Sequence, residues 1–195
     1  NNALCIIDEV QTGFARVGNN YWAFEEQGVI PDIVTLGKPM GNGHPIAAVI
    51  TTKEIAKVFN NGMEYFNSYG GNPVSCAVGN VVLEIIENEN LQTHSYNVGK
   101  YLLELLQKIQ KLYTDQISEV RGRGLFLGID LINHDNNLPN EKLATKLINH
   151  MRDNSILLST DGPHHNVIKI KPPLPFNKEN CDHLADELSH FFQKI

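Results

Sequence analysis

The sequence predicts an α/β protein, in which a parallel-strand unit is followed by a smaller α+β layer. Three observations carry this. Two short apolar runs, Ala3 to Ile7 and Val34 to Leu36, each give way to a charged residue, Asp8 and Lys38, with a helical stretch between them. Strand, short helix, strand reads as a βαβ unit with parallel strands. From Leu91 onward the pattern runs helix, two strands, helix, two strands, helix, the order of a compact α+β layer of about 100 residues. The expected division therefore falls after Asn90, giving domains 1–90 and 91–195, with Asn88 to Asn90 at the junction.

Ala3 to Ile7 is apolar and short, and reads as a buried strand. Tyr21 to Gln27 supplies one or two helical turns, and Gly28 stops them. The β-branched run ending at Leu36 is bounded by Pro31 and Gly37 and reads as a second buried strand. Ligands of open α/β sheets bind beyond the carboxyl ends of the strands, so Asp8 and Lys38 are expected in one crevice, as an ion pair or as a site. A lysine held at such an end has the position that Schiff-base chemistry needs. The turn Gly41-Asn42-Gly43-His44-Pro45 then returns the chain as an antiparallel strand, Ile46 to Thr51, and Lys53 to Phe59 reads as a short surface helix.

Asn67 to Pro73 is a second glycine-rich turn. Asn72 caps the following helix and Pro73 fits its first position. Val74, Ala77, Val78, Val81, Val82, Ile85 and Ile86 form its apolar stripe. Its N-terminal amides and the Ser68 hydroxyl suit an anion, or serve only an ordinary capped helix. Leu91 to Tyr113 is a helix with Leu102, Leu103, Leu105, Leu106 and Ile109 on one face. Ile117 to Val120 and Leu125 to Leu131 are strands of a hairpin around Arg121 to Gly124. Glu141 to Asp153 is an amphipathic helix, Ile156 to Leu158 a strand, Ser159 to Asn166 a loop, Val167 to Lys171 a strand, and Glu179 to Ile195 the last helix.

Composition narrows the function. At 195 residues and 42% hydrophobic the chain buries a core. Net charge is −6 and the basic residues are dispersed, which excludes a nucleic-acid footprint. Cys5, Cys76 and Cys181 are odd in number and far apart, which argues against a disulfide frame and for a reducing, cytoplasmic compartment. His164-His165 has no third ligand beside it, so no metal is expected. No apolar run is long enough to span a bilayer, and no membrane partner is expected. The chain lacks an initiator Met and enters an apolar strand at once, which predicts the later part of a longer protein.

Four blocks in order carry a resemblance. Ile7-Asp8-Glu9-Val10-Gln11-Thr12-Gly13-Phe14-Ala15-Arg16-Val17-Gly18 resembles the DEVQTGxGRxG signature of class III (omega-type) aminotransferases, pyridoxal-phosphate enzymes of fold type I. Gly37 to Val49 is similar to GKxxGNGxPIAAV, Ser68 to Pro73 to the TFGGNP loop, and Val120 to Leu131 to VRGxGLFxGIxL. The resemblance implies that domain 1–90 is the end of the large cofactor-binding domain and 91–195 the small domain. It implies Lys38 as the lysine joined to pyridoxal phosphate and Asp8 as partner of the ring nitrogen. Val10 is implied to pack on the ring and Gln11 to bond its hydroxyl. Ser68, in place of the usual Thr, is implied to reach the cofactor phosphate of the neighbouring subunit, so the active unit is a homodimer. Ala15 replaces the usual Gly.

The segment Asp161 to Pro173 is similar to DGPxxNVLKIKPP of ethanolamine-phosphate phospho-lyases, a branch close to alanine–glyoxylate aminotransferase 2. Where many relatives carry an Arg for the substrate carboxylate, Lys169 and Lys171 stand on one strand face, placed to meet a phosphate or to lie on a solvated edge. The first reading is an aminotransferase that moves an amino group from an amine or amino acid to a 2-oxo acid. The alternatives are a phospho-lyase acting on phosphoethanolamine-like amines, and a non-catalytic dimerisation or binding module. The 195 residues alone are expected to bind cofactor poorly and to be inactive, because the family's own phosphate loop and ring-stacking aromatic lie upstream.

Overall fold

The computed structural model describes residues 3–194. The chain divides into two compact units, Asn1–Gln92 and Thr93–Ile195. In the first, β1 (Ile6–Asp8) and β2 (Ile33–Leu36) pair in parallel, with Ile7 opposite Val34 and Asp8 opposite Thr35. The link between them makes a 3₁₀ turn, Ala23–Gln27, closed by Gly28 in the left-handed region at φ 62°. Cys5 N donates to Asp32 Oδ2 at 2.7 Å, which ties the entry of β1 to the entry of β2. β3 (Ala48–Thr51) returns antiparallel to β2, so the three-stranded order is β1-β2-β3.

α1 (Lys53–Phe59) follows, then α2 (Pro73–Asn88). Asn72 caps α2 by accepting from Ser75 N at 2.9 Å, and Pro73 opens it. The expected stripe of α2 is only partly its inward face. Ser75, Gly79 and Ile86 are buried, whereas Val74, Val81 and Ile85 are exposed. The reason is steric. A Cβ on Gly79 would stand 3.4 Å from Ile46 Cδ1, so the helix meets the β2–β3 turn across small residues.

The second unit is built on α3 (Leu91–Leu112), β4 (Ile117–Arg123), β5 (Phe126–Leu131), α4 (Glu141–Asp153), β6 (Ser159–Asp161), β7 (Val167–Ile170) and α5 (Lys178–Gln193). Its antiparallel sheet runs β4-β5-β7-β6. Val98, Leu102, Leu106 and Ile109 recur at helical spacing on α3 and join Leu131, Leu147, Met151, Ile168 and Leu188 in one core. The last helix was expected to reach Ile195, which lies outside the described residues.

Several strand expectations shift. β1 covers Ile6–Asp8 rather than starting at Ala3, with Ile6 exposed rather than buried, and β3 begins at Ala48 rather than Ile46. The strand expected at Ile156 to Leu158 forms later, as β6. Ile156 N still donates to Met151 O at 2.8 Å, so the chain there is closing the end of α4, and Leu157 is 85% exposed. Consequently the expected loop begins with three residues of strand. β4 continues past Val120 to Arg123, because the ladder to β5 holds as far as Arg123 opposite Phe126. β7 is an interior strand rather than an edge, and ends at Ile170, so Lys171 falls just beyond it.

Candidate functional site

Parallel pairing places the carboxyl ends of β1 and β2 side by side. Asp8 closes β1, and Lys38 follows β2 by two residues. Asp8 Oδ1 accepts from Val10 N at 2.9 Å and from the Thr35 hydroxyl at 3.2 Å. Oδ2 takes no hydrogen bond from the described residues. The carboxylate is thus held by one oxygen and presents the other. Thr35, directly opposite in the ladder, was not singled out in the sequence; its only signal is its register with Asp8.

Lys38 is exposed and begins a 3₁₀ turn, Lys38–Gly41, with its backbone in the left-handed region at φ 39°. Such backbone costs about 1–3 kcal/mol at a non-glycine residue and gathers at functional sites. Among the described residues no ion pair joins Lys38 to Asp8, so the two charges stand at neighbouring strand ends without neutralising one another. Val10 lies against the approach to Lys38: its methyls are 3.7 Å from where a Cβ on Gly37 would sit. Gln11 is half-buried in the same turn.

The turn itself is set by Glu9, which sequence reasoning passed over. It is 0% exposed. Its carboxylate accepts from Thr12 Oγ1 at 2.8 Å and from Phe24 N at 2.9 Å, the hydrogen bonding a buried charge requires. Gly13 is required beside it, because a Cβ there would meet the Trp22 ring at 2.8 Å. Phe14 packs edge-on against Trp22 with ring centroids 5.2 Å apart. Burial pushes the Arg16 guanidinium down to about 10. Ala15, fully buried, takes the left-handed region at φ 65° that a glycine would take freely.

Ser68 lies in an exposed turn. Asn67 Oδ1 accepts from Tyr69 N at 3.1 Å and Gly70 N at 3.0 Å, folding the backbone around it. Phe59, Met63, Tyr65, Phe66, Tyr69 and Val74 flank the turn with exposed apolar surface. Lys169 and Lys171 belong to the second unit. The Lys169 ammonium is 2.9 Å from Asp161 Oδ2, and it lines a groove of about 320 Å³ with Arg121, Phe126 and Gly162. The Lys169 ammonium, and then the Gly162 N–H, hold the Asp161 carboxyl below its usual range. No helix among the described residues is long and apolar enough to cross a membrane.

The family described as Aminotransferase class-III matches residues 1–192. The chain is 53% identical to a Drosophila melanogaster protein named alanine–glyoxylate aminotransferase 2-like, over 92% of this chain and 37% of that protein. It is 51% identical to ethanolamine-phosphate phospho-lyase homolog 1 of Caenorhabditis elegans, over 91% of this chain and 38% of that protein. A solved phospholyase from Arthrobacter, in complex with phosphoethanolamine, superposes with a TM-score of 0.94 at 43% identity, over 98% of this chain and 46% of that one. The chain therefore spans less than half the length of these relatives, and its mixed α/β fold is part of the fold type I pyridoxal-phosphate architecture. It belongs to the class III aminotransferase family.

Proposed function

We propose that Asp8, Val10, Gln11 and Lys38 form one wall of a pyridoxal-phosphate site, and that the full-length protein is an aminotransferase for an amine or amino acid. The observation that carries this is Asp8 beside Lys38 at the ends of paired parallel strands, with Asp8 Oδ1 held by Val10 N and Thr35 and Oδ2 uncommitted. That donor set fits the cofactor: a fixed carboxylate for a protonated ring nitrogen and an exposed amine for the aldehyde carbon. Bound pyridoxal phosphate supplies an electron sink for the bond broken at the substrate Cα. The chain does the rest. Lys38 would hold the cofactor through its amine and would carry the proton moved from the substrate Cα. Asp8 keeps the proton on the ring nitrogen. Val10 would cover the ring and Gln11 would bond its hydroxyl.

Ser68 is assigned to the phosphate of the neighbouring subunit's cofactor. The exposed apolar side chains around its turn support a homodimer. On this reading the 195 residues alone bind cofactor poorly. Three cysteines without disulfides support a reducing compartment. We assign it to the cytoplasm, with mitochondria as the alternative, because some relatives are named mitochondrial.

Phosphate elimination from a phosphoethanolamine-like amine is the second reading. The names of the C. elegans relative and of the Arthrobacter structure favour it. In that case Lys169 and Lys171 meet the substrate phosphate, and Lys169 gives up Asp161 to do so. Incubating the full-length protein with phosphoethanolamine, with and without pyruvate, separates the two. Alanine formed without phosphate release supports aminotransfer. Phosphate released without an amino acceptor overturns it.

A further inference from the structure

The first unit holds two turns that carry chemistry, 38–45 with Lys38 and 67–73 with Ser68, and an unbroken polar chain joins them. Asn72 Nδ2 donates to Tyr69 O at 2.7 Å and to Ser75 Oγ at 2.9 Å, while Asn72 Oδ1 accepts from Ser75 N at 2.9 Å. The amide orientation is thereby fixed, and both its N–H groups are used. Ser75 Oγ, buried, lies 2.8 Å from His44 Nε2. His44 N in turn donates to Gly41 O at 2.9 Å, so the ring stands on the turn that Lys38 begins.

Ser75 Oγ thus accepts from Asn72 and shares a second hydrogen bond with His44 Nε2, the hydroxyl or the imidazole N–H donating according to the tautomer. Steric fit brings the same surfaces together. Gly79, one helical turn beyond Ser75, leaves room for Ile46, and a Cβ on Gly41 would stand 2.7 Å from Ile46 Cγ2. Small residues let α2 lie close on the Lys38 turn, but they do not fix its position along that turn. A directional hydrogen bond between the buried Ser75 hydroxyl and the half-buried His44 ring does.

We propose that His44 is a positioning residue: through Ser75 and Asn72 it holds the Ser68 turn in register with the Lys38 turn. This rests on the reading of Lys38 and Ser68 as cofactor residues. Since Ser68 is assigned to the neighbour's phosphate, the bond ties the lysine side of one site to the phosphate side of the other.

The test uses full-length protein and two ligands, pyridoxal phosphate and pyridoxal, which lacks the phosphate. Dissociation constants are measured for wild type, His44→Leu, Ser75→Ala and His44→Gln, with the melting temperature of each apoprotein. His44→Leu and Ser75→Ala are expected to weaken pyridoxal phosphate about tenfold and to leave pyridoxal nearly unchanged. His44→Gln, which keeps a polar group near the Nε2 position, is expected to restore most of the affinity. Equal weakening for both ligands, or none for either, overturns the positioning role. A melting-temperature loss in His44→Gln as large as in His44→Leu, without restored affinity, reduces His44 to packing and overturns it too. Failure of wild type to bind pyridoxal phosphate instead removes the cofactor reading.

Discussion

Ala15 shows how one residue absorbs a local cost. Its left-handed backbone costs about 1–2 kcal/mol. Replacing it with glycine relieves that, but gives up about 0.8 kcal/mol of methyl burial and about 0.4–1 kcal/mol through the looser unfolded chain. The terms nearly cancel, so Ala15→Gly is expected to stay within about 0.5 kcal/mol of wild type. Ala15→Val adds a β-branched side chain to a conformation it resists, inside a packed turn, and is expected to lose about 2 kcal/mol or more. Urea unfolding midpoints measure both. A clear gain from Ala15→Gly would show that the strain exceeds its offsets. At this scale the sequence showed Asp8 and Lys38, because charged residues that end apolar runs stand out. It did not show Glu9, Thr35 or His44. Their partners are fixed by a strand register and a helix approach that no local pattern encodes.

At the scale of elements, β6 and β7 carry the ion pair between Asp161 and Lys169. The Asp161 carboxyl is held low by the Lys169 hydrogen bond first and the Gly162 N–H second. A depressed carboxylate contributes stability above its unfolded pKa of about 3.9 and loses it as pH falls through the lower folded value. Asp161→Asn is therefore expected to be less stable than wild type at neutral pH, with the difference beginning to shrink as pH falls below about 4, disappearing once pH passes below the lower folded value, and shrinking in high salt. A difference that stays the same from neutral pH down to the acid limit contradicts the pairing. Regular helices were legible: α4 and α1 run over Glu141–Asp153 and Lys53–Phe59, the ranges their sequence pattern predicts. Ile156 to Leu158 misled because an apolar run looks like a strand whether or not a ladder partner stands beside it. α2 misled because its inward face is made of small residues rather than large ones.

On the scale of the whole chain, the two units differ in how they bury apolar surface. The second encloses one continuous core among α3, α4, α5 and its sheet. The first leaves Ile6, Val49, Ile50, Phe59, Phe66 and Val81 exposed. The chain spans less than half the length of its relatives. Lys38 is proposed to hold pyridoxal phosphate beside Asp8. The most direct measurement is the visible absorbance of full-length protein saturated with the cofactor, compared with Lys38→Ala. The account predicts a band from lysine-bound cofactor in wild type that the variant lacks. The same band in both, or in neither, contradicts it.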